Sequence, residues 1–246
     1  MSHSEDCGWQ VSAGMHGQML LALYLRDLAR IDPVGNPVLC PLDPPVKPVA
    51  AAEIDPHAAA ELRQEWQRWW HRLLRGNGHP NDAAAAEAVN AAGPASAAGP
   101  ATAGPGASGA GTAGLDTAGF GAAEELAGVL DAPVFGGFND SPTLQRLLRA
   151  HYGAAFDWTQ ERLEEYRRTG AAPAAGGRDL VERMIQDREL EVDRTAHPFR
   201  LTLLELPLAE PRAWFVEPAT VILSQDLPRD EGLFRSYLQP VVDLLV

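Results

Sequence analysis

Lysine is almost missing from this chain. Lys47 is the only one, and arginine supplies the other fixed positive charges. Acids outnumber bases, 33 Asp and Glu against 20 Lys and Arg, for a formal net charge of -13. A chain of that sign repels phosphate backbones, so nucleic acid is not an expected partner and the charge reads as a solubility feature. The excess of arginine and alanine is a signature of GC-rich coding, not of phosphate recognition.

Cysteine is scarce as well. Cys7 and Cys40 are the only two, too few for a disulfide framework, and free thiols fit a cytoplasmic location. Long apolar runs are absent. The stretch Met19–Leu25 ends at Arg26, which is too short for a membrane span or a signal core. Glu5 and Asp6 stand where a signal peptide carries positive charge. A cytoplasmic chain with no integral membrane segment is therefore expected.

The common catalytic signatures are missing too. No phosphate-binding G-x-x-x-x-G-K-[ST] loop, no dinucleotide G-x-G-x-x-G after a strand, and no G-x-S-x-G elbow, H-E-x-x-H, C-x-x-C or acidic calcium loop occurs. His3, Cys7, His16 and Cys40 carry metal-ligating atoms, but their spacing matches no common zinc arrangement. No cofactor and no metal are expected.

Three zones are legible in what remains. In residues 1–82, Leu20, Leu21, Tyr24, Leu25, Leu28 and Ile31 recur at helical spacing, predicting a helix from about Met15 to Ile31 that Asp32-Pro33 stops. Seven prolines between positions 33 and 56 then predict an extended strap. Asp55 and Pro56 start a second helix, which runs to about Arg75 before Gly76-Asn77-Gly78. Its apolar face is Leu62, Trp66, Trp69, Trp70, Leu73 and Leu74. Burying those six side chains contributes on the order of 9–18 kcal/mol gross.

Residues 83–119 form the second zone. Alanine and glycine fill 24 of its 37 positions. Apolar surface so sparse does not offset roughly 1–2 kcal/mol of backbone entropy per residue, so a disordered insert is expected.

The third zone, residues 120–246, carries most of the pattern. A helical turn is expected at Ala122–Leu130, and a loop or short strand at Pro133–Phe138. Two helices should follow, one capped by Ser141 with Pro142 at its first turn, one capped by Asp157 with Gln160 completing a capping box. Another helix covers Arg178–Val192. The period then changes to two. Phe199–Leu203, Ala213–Glu217 and Thr220–Ser224 read as three strands, and the short links suggest an antiparallel meander. A last helix, Arg229–Leu245, carries a continuous apolar stripe with Pro240 inside it.

The expected fold is thus α+β: a small three-stranded antiparallel meander covered by amphipathic helices and interrupted by a long disordered insert. Residues 1–82 are expected to dock on residues 120–246, because they offer little to form a core alone.

Function is left with few handles. Trp66, Trp69 and Trp70, flanked by Arg63, Arg68, His71, Arg72 and Arg75, are the most unusual feature. They are candidate partner-binding residues or the side of a core helix whose arginines snorkel along its edges. The glycines of Phe135–Ser141, with Arg146 and Arg149 beyond, are either an anion cradle or a turn before a capped helix. The chain reads first as a non-enzymatic interaction or scaffold protein with a protein partner. The alternative is an enzyme with a pocket between the meander and the tryptophan helix, using His151, Arg146 and Glu217. A weaker third reading is peripheral membrane association through the three indoles. The oligomeric state stays open.

Overall fold

The computed structural model describes residues 8–31, 37–48, 56–76, 130–170, 176–216 and 219–246. The expected insert at 83–119, the turn at Ala122–Val129, and His3, Cys7 and Glu217 lie outside them.

Helix and sheet are mixed, but the sheet differs from the expected meander. It has four strands in the order β1-β2-β4-β3. These are β1 (Gln10–Gly14), β2 (Arg200–Leu206), β3 (Ala213–Val216) and β4 (Thr220–Ser224). β1 pairs with β2 in parallel, Val11 opposite Leu201. β2 pairs with β4, also in parallel, Leu204 opposite Ile222. Only β3 and β4 form an antiparallel pair, Trp214 opposite Ile222. β4 has therefore slotted between its two predecessors. The reason is burial: all five β4 residues are buried, whereas Phe215 of β3 is half-exposed. A strand apolar on both sides belongs in the middle of a covered sheet, and the one with an outward ring belongs at its edge.

Both sheet faces are covered, so the cover is two helical layers. On one face, Leu204, Leu206 and Ile222 share a cluster with α1 (Gly17–Leu28), α2 (Pro56–Gly76) and α3 (Pro142–Gly170). On the other, Val11, Leu201, Leu203, Val221 and Leu223 pack with α4 (Gly177–Val192) and α5 (Glu231–Leu245).

α3 replaces the two helices expected between Ser141 and Gly170. It is continuous for 29 residues, and Asp157 lies within it. Gly153 is the weakest helix former at the expected break, costing about 1 kcal/mol relative to alanine, and no proline stands there to force a stop. Nor does Ser141 cap the helix with its side chain, since its hydroxyl is directed to Asp140 at 3.4 Å. A carboxylate from elsewhere caps it instead, as described below. α5 starts on a genuine cap, the Leu233 N–H donating to Asp230 at 3.0 Å, and extends past Pro240.

The strap between α1 and α2 is held by one ion pair. Arg26, buried in α1, contacts Asp27 at 2.7 Å and donates to the Leu39 and Cys40 carbonyls at 3.0 and 2.9 Å. Asp27 in turn accepts the Leu42 N–H at 2.8 Å. The strap then reaches the end of β2, where Leu42 bridges Leu208 and the Asp43 N–H donates to the Pro207 carbonyl.

Candidate functional site

Two places on this frame combine exposure with chemistry: the carboxyl ends of the parallel strands, and the outer edge of β3.

At the carboxyl ends of β2 and β4 a cleft of about 230 Å³ opens. Its walls include Asp43 of the strap, Arg162 and Glu165 of α3, and Gln225, Asp226 and Arg229 after β4. In sheets of parallel strands covered by helices, ligands are commonly held at this end. Two ion pairs line it: Arg162 pairs with Glu165 at 2.7 Å, and Arg229 with Asp226 at 2.8 Å. Such exposed i,i+3 pairs are worth a few tenths of a kcal/mol. Both arginines of the cleft are thus paired with neighbouring acids, and Asp43 adds a further carboxylate to its wall.

One turn past Arg162, Tyr166 meets a buried acid. Glu205, near the end of β2, is 8% exposed, with the Tyr166 hydroxyl and the Gly177 N–H nearby as donors that favour its ion. Burial pushes its carboxyl above the ordinary value of 4.5 in spite of both donors. The Tyr166 hydroxyl is pushed above its ordinary 10, by burial first and by the Glu205 charge second. Neither residue stands out in the sequence; Glu205 looks like the polar member of an apolar strand.

The outer edge of β3 is the second place. The Ser224 N–H donates to the Arg212 carbonyl at 3.0 Å. Bonded and non-bonded pairs alternate along an antiparallel ladder. Trp214 and Val216 therefore direct their backbone groups to β4, and Ala213 and Phe215 direct theirs outward. Among the described residues no strand pairs with that side. The Phe215 ring is 50% exposed, and the Arg212 guanidinium stacks over Trp214 at 5.9 Å.

The residues singled out in the sequence are distributed elsewhere. Trp66, Trp69 and Trp70 are all interior, at 1%, 3% and 1% exposure. Trp66 stacks on Trp70 at 5.5 Å and donates its indole N–H to the Ala22 carbonyl of α1 at 2.8 Å, while Trp69 meets Phe138 edge-on at 5.3 Å. The three rings hold α2 within the core cluster.

The glycine loop forms a short 3₁₀ turn, Gly136–Phe138, entered through Phe135 at φ 54°. Its carbonyls are occupied from α3, Gln145 donating to Phe135 at 2.9 Å and Arg149 to Val134 at 2.9 Å. Those are carbonyl-satisfying contacts, the opposite of what an anion cradle presents. Arg146 turns to Thr143 at 3.3 Å, and His151 is half-buried on α3. His16 sits at the N-cap position of α1, and Cys40 is a free thiol in the strap. Among the described residues no group of three His, Cys, Asp or Glu is placed to hold a metal ion. No described helix is long and apolar enough to cross a membrane. Glu189 of α4 is an anchor: it accepts from the Trp9 indole at 3.2 Å and the Ala196 N–H at 2.8 Å.

No protein-family model matches the chain, and no curated protein or solved structure is significantly similar to it.

Proposed function

We propose that this chain is a non-enzymatic, cytoplasmic interaction protein that recognises a protein partner along the outer edge of β3. The supporting observation is Phe215: a large apolar ring half in water, on a strand whose Ala213 and Phe215 backbone groups face outward with no described strand beside them. Such an edge is a template for an added strand, and natural sheets commonly blunt theirs with charge, proline or cover. Here the four residues are Ala-Trp-Phe-Val. Main-chain hydrogen bonds to an added strand supply affinity, and the ring supplies selectivity.

Trp66, Trp69 and Trp70 serve this reading from inside, by fixing α2 on α1. The enzyme alternative gains less from the geometry. Its expected pocket lies where Trp66 and Trp70 stack on each other and Trp66 bonds to α1, and the two arginines of the strand-end cleft are paired with neighbouring acids.

Affinity purification from the source cell, comparing the unaltered chain with Phe215→Asp and Ala213→Pro, tests the proposal. A partner retained by the unaltered chain and lost by both variants, each still folded by circular dichroism, supports it. Identical partners in all three samples contradict it.

A further inference from the structure

Between the end of α1 and the strap lies a hollow of about 310 Å³, a volume at the lower end of small-molecule sites. Its apolar walls are the buried Ile31 and Leu39, the half-buried Val46, and Pro41 and Pro45. The charged groups among them are Arg26, Asp27 and Arg30.

These three charges are not equivalent. Asp27 is engaged through both oxygens, one holding Arg26 Nε at 2.7 Å and the other accepting the Leu42 N–H at 2.8 Å. Arg26 is only 4% exposed and uses three of its five N–H groups, on Asp27 and on the Leu39 and Cys40 carbonyls. Among the described residues nothing accepts the second N–H of either terminal nitrogen. Arg30 is exposed, and its guanidinium has no ion pair or hydrogen bond among the described residues. The lining therefore carries one positive charge that no acid matches, in a chain whose net charge is -13.

The turn that ends α1 puts Arg30 there. Its φ of 50° is the left-handed exit common at helix ends. Within that turn the Ala29, Arg30 and Ile31 N–H groups donate to the Leu25, Asp27 and Arg26 carbonyls at 3.0, 3.3 and 2.9 Å. Three of the last carbonyls of α1 are thus occupied, which leaves fewer bare acceptors to repel an anion.

We propose that this hollow binds a small carboxylate with an apolar body. The body lies against Ile31, Leu39 and Val46, and the carboxylate meets Arg30 and the spare N–H groups of Arg26. The charge selects the head: an ammonium would face an unmatched cation, and a neutral head would forgo the stronger, charge-assisted bond. The walls select the body, because a short acid such as acetate has little apolar surface to bury there. The site is made by α1 and the strap, so it stands independently of the β3 edge.

A titration of the full chain, ¹³C-labelled at its methyl groups, with octanoate, 1-octanol, octylamine and acetate reads both place and affinity by NMR. Octanoate should give saturable shifts at the Ile31, Leu39 and Val46 methyls, and should bind at least about tenfold more tightly than the other three, the worth of one charge-assisted hydrogen bond. Arg30→Glu should weaken octanoate by at least about tenfold and leave 1-octanol unchanged, a split that a merely structural role for Arg30 would not produce. If Arg30→Glu is not folded by circular dichroism, the head-group comparison on the unaltered chain decides. Octanoate shifts that do not saturate or that centre elsewhere, 1-octanol bound as tightly as octanoate, or a folded Arg30→Glu with unchanged octanoate affinity would each overturn the proposal.

Discussion

Glu65 Oε2 accepts the Leu144 N–H at 2.6 Å, joining the middle of α2 to the first turn of α3. Glu65 is buried, and Thr143 beside it reaches Glu61 of α2 at 3.4 Å. The first N–H groups of a helix have no partner within it, and a carboxylate there also meets the positive end of the helix dipole. α2 thus supplies the cap that Ser141 does not.

Removing this cap should be costly. Glu65→Ala should lower unfolding free energy by about 2 kcal/mol, the range for a hydrogen bond to a charged group in a buried site. Glu65→Gln keeps an acceptor and should lose about half as much. Urea denaturation of the three proteins at neutral pH measures this, and equal midpoints would refute a trans-cap.

The indole of Trp66 makes a separate, polar contribution to the same helix pair. Trp66→Phe keeps a ring beside Trp70 but abandons the bond to the Ala22 carbonyl, and should cost about 1–2 kcal/mol. Trp66→Ala should cost about 3–5 kcal/mol through the cavity it leaves. Thermal unfolding distinguishes the two. A Trp66→Ala protein as stable as Trp66→Phe would show that the ring is not part of the core.

The strap depends on Arg26. Arg26→Ala strands the Leu39 and Cys40 carbonyls and leaves the half-buried Asp27 without its cation, a loss of about 3 kcal/mol. Limited proteolysis should show faster cleavage between Leu39 and Val46 in that variant than in the unaltered chain. Cleavage unchanged there would mean that the strap is held by something other than this ion pair.

The helices were largely legible because their signals are local. Pro56 and Gly76 bound α2, and the six apolar residues at helical spacing include the three buried indoles. The sheet was less legible, since pairing is decided by burial on both faces rather than by proximity in sequence. Three strand segments could be read, yet their order could not: short links favoured a meander, and only the complete burial of Thr220–Ser224 shows why β4 lies inside. β1 was missed because Gln-Val-Ser-Ala-Gly offers a single branched apolar residue and gains its place only by pairing with β2. The candidate site was hidden for the same reason. Phe215 alternates as any strand residue does, and whether its side is covered is decided by elements far from it in sequence. Glu65 and Glu189 carry no sequence mark of their partners, which lie far along the chain.

The proposal that β3 is a recognition edge is tested most directly by a photo-crosslinking residue placed at position 215 and expressed in the source cell. Leu190 and Leu244 are the controls, because they are more exposed than Phe215, at 82% and 86%, and lie on helices. The account predicts a discrete crosslinked protein from position 215 that is absent from positions 190 and 244. Equal crosslinking at all three positions, or none at 215, would contradict it.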